Sequence, residues 1–388
     1  RGRGLFALSA SLLAAGAMLP LHAQSASALA AAVESGIARR TYSGAVVLVG
    51  RADTVLLSRG YGHYAWSGDS RRPDPSWSLW DVASLTKVTA TASAVAVLVD
   101  RNLLDLDATV SRFVPQFSGP GKDSVTVRML LDHTSGLPAW APLGSRDPAP
   151  SAAYGRLFDI GLRRAPGEAP VYSDLNAILA AMVIERVTGE PLDQFTRRAV
   201  FDPTGMAGAG WQPTAADKLR AVPTDTDYDG APHFGEVHDP NARALGGVAG
   251  HAGVFATGLD LAHFAQSWLR GLSGRDSSWV RPATMLRFLE RGPATNTRAL
   301  GWDTPMLVTD DGKPPLYGAC ATATTFGHTG FTGTLLWIDP EADLFVVFLT
   351  NRSFQPSRSS MSDMPGARAA RGDADRRLAG QRSRRTRL

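Results

Sequence analysis

Strand-forming segments sit at both ends of this chain, with a long helical stretch between them, and this constrains the fold more than any other feature. Residues 44–50 (Gly-Ala-Val-Val-Leu-Val-Gly) read as a buried strand. Residues 51–53 turn the chain, and 54–61 return as a second strand, giving an antiparallel hairpin. Far downstream, 326–338 read as extended, 339–343 as a turn and 344–350 as a fully apolar strand. Sequence-distant strands of this kind pack most simply as one antiparallel sheet built from both chain ends and flanked by helices. The expected fold class is therefore α/β in the α+β sense. Residues 28–101 plus 245–352 are expected to form the sheet-containing part, and 102–244 an all-helical insert.

The helices follow from apolar spacing. Leu29, Val33 and Ile37 share one side of 28–39. Residues 84–100 are Ala/Val-rich and uninterrupted, which fits a buried helix, although Val88, Thr89, Val95 and Val97 lower its intrinsic propensity. Residues 174–187 form a strong helix, capped by Ser173 or Asp174 and ended by Gly189. Shorter helices are expected at 127–132, 259–269 and 282–289. Residues 138–150 and 203–243, rich in Pro, Gly and Asp, read as loops.

The ends of the chain distort its charge. Eight arginines and two aspartates lie between Gly366 and Leu388, and Arg1 and Arg3 lead the chain, so residues 25–365 carry a net charge of −4 although the whole chain is +4. That body gives no reason to expect a nucleic-acid partner. Residues 1–24 read as a secretory signal peptide: two arginines, an apolar stretch from Leu5 to Leu19, then small residues around Ala23. An uncleaved leader would be the one membrane attachment. Cys320 is the only cysteine, so no internal disulfide can form. Residues 353–388 read as a basic tail, unstructured or artefactual. The expected location is the cell envelope, periplasmic or secreted.

Chemistry starts at Ser84-Leu85-Thr86-Lys87. Lysine is scarce, with Lys87 one of four among 40 basic residues. Serine and lysine three apart share a helix face, so the amine can approach the hydroxyl. A free lysine has a pKa of about 10.4 and serves as a base only if burial or another cation lowers it. The first turn of a helix also favours a developing oxyanion. Two further segments hold candidates. Tyr172 precedes the 174 helix in Tyr-Ser-Asp and could pass a proton between nucleophile and leaving group. His328-Thr329-Gly330 lies in the strand region, where an edge beside the serine could offer a backbone N–H to an oxyanion. A metal centre at His233, His238, Asp239 and His251 lacks the short helical spacing such ligands use, and no metal or cofactor is expected.

The order of these segments resembles that of the serine β-lactamase and penicillin-recognising family. The nearest branch contains class C β-lactamases, D-alanyl-D-alanine carboxypeptidases and related esterases. Leu130-Leu-Asp-His-Thr-Ser-Gly-Leu-Pro138 and Gly246-Gly-Val-Ala-Gly-His-Ala-Gly-Val-Phe-Ala-Thr257 are similar to segments of that branch. The resemblance implies Ser84 as acylated nucleophile, Lys87 as its activator and Tyr172 as partner acid/base. It also implies substrate contacts from Asp174, His328, Thr329 and Gly330, and an oxyanion hole of the Ser84 and Phe331 N–H groups. Asp174 stands where many members carry asparagine, and His328 where many carry lysine. Both changes make rapid hydrolysis of penicillins or cephalosporins less expected than turnover of a peptide or ester. The expected partner is a small-molecule or peptide substrate, including cell-wall peptide. The alternatives are a penicillin-binding sensor that acylates without turnover, and a non-enzymatic envelope protein.

Overall fold

The computed structural model describes residues 26–144, 149–226, 232–292, 297–305 and 321–355. The expected leader at 1–24, Cys320 and positions 356–388 of the expected tail lie outside them. In chain order the elements begin with α1 (Ala26–Ala38), β1 (Gly44–Arg51), β2 (Thr54–Gly62) and β3 (Trp80–Asp81). Next comes α2 (Ala83–Asp100), then α3 (Val110–Phe113), α4 (Val127–Leu131), α5 (Pro150–Asp159), α6 (Asp174–Thr188) and α7 (Leu192–Thr196). They are followed by β4 (Gly210–Trp211), α8 (Ala215–Lys218), β5 (Asp225–Thr226), β6 (Pro232–His233), α9 (Pro240–Ala244) and β7 (Val254–Ala256). The described part closes with α10 (Gly258–Leu272), α11 (Pro282–Leu289), β8 (Phe326–Gly330), β9 (Thr334–Asp339) and β10 (Leu344–Thr350).

Five strands form one antiparallel sheet in the order β2-β1-β10-β9-β8, so the two chain ends do meet in its centre. Ala45 faces Thr350 and Gly50 faces Phe345 across the β1–β10 seam. Alternation then sorts side chains to two faces. Phe345, Val347 and Leu349 point into the core with Val46 and Leu48, against α10 and the Trp268, Trp302 and Phe264 rings. Each such side chain contributes roughly 1.5–3 kcal/mol through burial. On the other face Val33 of α1 packs with Tyr42, Val47 and Tyr61.

Asn351, fully buried, locks the seam. Its Oδ1 accepts from Ser43 N and Gly44 N at 3.1 Å each. Its Nδ2 donates to Ser43 Oγ at 2.8 Å and Tyr64 O at 2.9 Å. Packing continues past the expected end of the body, because Phe354 is buried and its carbonyl accepts from Trp66 Nε1 at 3.0 Å.

Three local findings differ from the expectations. The extended stretch at 326–338 is a tight hairpin, because Phe331–Gly333 turn the chain and Gly333 takes φ 98°, which suits glycine. Ser173 precedes α6, but its hydroxyl donates to Pro138 O at 2.7 Å and caps nothing. Residues 102–244 are mostly helical, yet β4 pairs with β7, which pairs in turn with β3, and β5 pairs with β6. Such two-residue strands carry no periodic signal. Among the described residues α2 is the one helix long and apolar enough to cross a membrane, and it is largely buried in the core.

Candidate active site

α2 does not start as an ordinary helix. Ala83–Leu85 form a 3-10 turn, Lys87–Ala92 wind in wide π-type turns, and Ser93–Asp100 are α-helical. Wide turns of this kind recur at functional sites. Ala83 takes φ 49°, a costly position for a residue with a Cβ. Asp81 holds it there: its Oδ1 accepts from Ala83 N at 2.9 Å and its Oδ2 from His238 N at 2.7 Å. Burial pushes the Asp81 carboxyl up despite these bonds. The turn brings Ser84 to the wall of a cavity of about 900 Å³.

β8 forms the neighbouring wall. Thr334 Oγ1 donates to Val82 O and Thr332 Oγ1 to Asp81 O, both at 2.9 Å, fastening the β8–β9 hairpin to the start of α2. Gly330 permits this approach, since a Cβ there would lie 2.6 Å from Val82 O. Tyr172 and Asp174 arrive from the loop and first turn of α6. The cavity is thus lined by Ser84, Tyr172, Asp174, His328, Thr329, Gly330 and Phe331.

Lys87 lies buried beneath that wall. Its Nζ donates to Ser84 Oγ at 2.9 Å and to His251 O at 3.1 Å, and pairs with Asp174 Oδ1 at 2.8 Å. These three acceptors match the three N–H donors of an ammonium. Burial opposes the charge, but the Tyr172 oxygen and the Asp174 carboxylate outweigh it and hold the amine above its ordinary value. The lowered value that a lysine base requires is therefore not met. The reasons are the Tyr172 oxygen and the Asp174 carboxylate, which pairs with the ammonium; expected as a contact for a substrate amide, Asp174 is engaged with Lys87.

Tyr172 stands between two cations. Lys87 Nζ is 5.0 Å and Arg298 Cζ 5.1 Å from its ring centroid. His133 packs against it with centroids 4.9 Å apart, and His328 on another side at 5.7 Å. His133 Nδ1 accepts from Ser173 N at 3.1 Å, which fixes the residue after Tyr172. Burial, with Arg298 and Lys87 nearby, holds His133 far below the usual range, so it is neutral. His328 is also lowered, chiefly by burial. Its Nδ1 donates to Thr329 O at 2.7 Å. It is a neutral wall residue rather than a replacement cation. Two guanidinium groups line the cavity instead: Arg298, paired with Asp303 at 2.5 Å, and Arg352, which lies over the Phe331 ring.

Asp174, Asp239 and His251 place one ligand atom each within 4.8 Å of one another. The Lys87 ammonium already sits against Asp174, and Asp239 pairs with His251. Of the two histidines grouped with them by sequence proximity, His233 is 3.9 Å from Glu236, and His238 lines the cavity but stacks on Phe331 at 5.1 Å. Motif reading missed Arg298, Asp81 and His133 as site residues. His133 at least lay in the similar 130–138 segment; Arg298 had no local signal.

A family model described as Beta-lactamase matches residues 29–365. The chain belongs to the beta-lactamase family. It is similar to a Salmonella agona protein named "Putative D-alanyl-D-alanine carboxypeptidase", at 29% identity over 80% of this chain and 79% of that protein. Among solved structures it resembles EstCE1, a hydrolase with promiscuous acyltransferase activity, at 25% identity and TM-score 0.64, covering 82% of this chain and 91% of that one. D-alanine carboxypeptidase AmpC from Burkholderia cenocepacia has the same fold, with 20% identity, TM-score 0.64 and coverage of 82% and 91%. As a member of the beta-lactamase family, the protein is a serine hydrolase of the lactamase/DD-peptidase type.

Proposed function

We propose that this beta-lactamase family member is a cell-envelope hydrolase that works through an acyl-enzyme on Ser84, with carboxylate-ended peptides of the D-alanyl-D-alanine class as substrates. The observation that carries the reading is the 2.9 Å contact of Lys87 Nζ with Ser84 Oγ at the edge of the cavity. Ser84 Oγ attacks the carbonyl carbon and loses its proton. With Lys87 held as an ammonium, Tyr172 is the group that takes that proton: it acts as the phenolate, which the two flanking cations stabilise, and becomes the neutral phenol. Tyr172 then returns the proton to the leaving amine. The N–H groups of Ser84 and Phe331 receive the oxyanion. Water releases the acyl group.

The substrate class follows from charge. A peptide carboxylate needs a cation, and of the candidates His328 is neutral and Lys87 is already paired. Of the two guanidinium groups on the wall, Arg352 donates to Phe331 O, whereas Arg298 flanks Tyr172 and can bind a carboxylate in the plane of its guanidinium even while it shares Asp303. The Salmonella relative's name points to the same class, and the likeness to EstCE1, a hydrolase with promiscuous acyltransferase activity, supports acyl transfer. The location rests on the leader reading of residues 1–24.

The test is a hydrolysis panel of nitrocefin, a D-Ala-D-Ala peptide and short-chain p-nitrophenyl esters, run with wild type and Ser84→Ala. Peptide and ester turnover above nitrocefin turnover, all lost in Ser84→Ala, is the expected result. Stable labelling without turnover would instead point to a sensor.

A further inference from the structure

The side chains of Asp239 and His251 sit beside this machinery. His251 lies in the glycine-rich segment between α9 and β7 and is 1% exposed. Its Nε2 is 2.8 Å from Asp239 Oδ1. The same oxygen accepts from Ala242 N at 2.8 Å, so it is anchored as the cap of α9. Nδ1 of His251 has no hydrogen-bond partner among the described residues. The ring therefore hangs on one hydrogen bond to a fixed acceptor.

The backbone of His251 carries a second function. Its carbonyl is the third acceptor of the Lys87 ammonium, with Ser84 Oγ and Asp174 Oδ1 as the other two. Two more bonds fasten the segment to α2. Thr91 Oγ1 donates to Gly250 O at 2.7 Å, and Val254 N donates to Thr86 Oγ1 at 3.2 Å. These hold the neighbours; the side-chain bond to Asp239 holds His251 itself. Without it the carbonyl is free to rotate, and the ammonium loses the contact that balances the pull of Asp174. Nζ then shifts toward the carboxylate and away from Ser84.

We propose that Asp239 and His251 are positioning residues, whose hydrogen bond fixes the His251 carbonyl and so keeps Lys87 against Ser84 during acylation. The inference rests on the reading of Ser84 as the acylated nucleophile. A misplacement on the order of an ångström at a reacting group costs up to about a hundredfold in rate. The expected loss is therefore in the acylation step and not in substrate binding.

The experiment measures covalent labelling by a fluorophosphonate, as a saturating rate constant and a half-saturating concentration, for wild type, Ser84→Ala, His251→Ala, His251→Phe and His251→Gln. Near-UV circular dichroism reports folding of each. Ser84→Ala should not label. His251→Phe keeps the ring's bulk but has no N–H, so its rate constant should fall about 10- to 100-fold with half-saturation within about twofold. His251→Gln restores an N–H at similar reach and should recover most of the rate. If His251→Ala does not fold, the Phe and Gln pair decides the matter. A wild-type rate in His251→Phe, or a Gln variant as slow as Phe, would overturn the positioning role while leaving the acyl-enzyme intact. Labelling of Ser84→Ala at the wild-type rate would overturn the acyl-enzyme reading, and this inference with it.

Discussion

At the scale of single residues the account turns on where charge rests. Asp174 and Lys87 form a largely buried pair, and removing one partner strands the other. Asp174→Ala should lower stability by roughly 2–3 kcal/mol, less than full burial would give because the carboxylate is 18% exposed; thermal unfolding checks it. Arg298→Ala should raise KM for a carboxylate-ended peptide about tenfold, a loss of about 1.4 kcal/mol, and leave a neutral p-nitrophenyl ester nearly unaffected. Asp239 supplies a pH test. Burial pushes its carboxyl up, but the His251 bond and charge win and hold it at about 2 against an ordinary 3.8. A depressed carboxyl stabilises fully above its unfolded value and loses that contribution as pH falls through its folded one. Roughly 2 kcal/mol of stability should thus disappear between about pH 4 and pH 2. In Asp239→Asn that part of the acid slope should vanish from denaturant titrations. Ser84 and Lys87 were legible because three residues of helix bring them together. Asp174 was visible as a departure from asparagine, but its effect on Lys87 was not, since the pairing is made by tertiary approach of α6 to α2.

At the scale of elements the site is a junction of α2, α6 and the β8–β9 hairpin. The apolar runs of β1 and β10 and the stripe of α6 could be read directly, because burial imposes their period. The split at Phe331–Gly333 could not, since residues 325–334 include four threonines and the run stays strand-like throughout. Nor could the left-handed Ala83, a strain that Asp81 supports from two residues away. Gly330 connects this geometry to activity. In Gly330→Ala the new methyl would meet Thr334 Oγ1 at 2.1 Å and Val82 O at 2.6 Å, so β8 must move off α2. Overpacking of this kind costs about 1–3 kcal/mol. Turnover of a p-nitrophenyl ester should fall by more than about tenfold while the unfolding temperature drops a few degrees, since the displaced strand carries the Phe331 N–H.

At the scale of the molecule the sheet is the frame, and it is closed by residues far apart in sequence. Asn351 bonds Ser43, Gly44 and Tyr64 through both ends of its amide. Asn351→Ala would leave buried donors and acceptors unpaired, at a cost of about 3 kcal/mol or more, read as a lowered urea midpoint with an unchanged slope. A sheet drawn from both ends was legible from strand placement alone; the small sheet that ties Gly210 and Trp211 to Phe255 and Val254 was not, because two-residue strands have no period. The proposed end that the frame serves is the acylation of Ser84, and intact-protein mass spectrometry after incubation with a fluorophosphonate tests this most directly. The account predicts one added adduct per chain, mapped by peptide digestion to Ser84 and absent from Ser84→Ala. An adduct on another residue, or one that persists in Ser84→Ala, would contradict it.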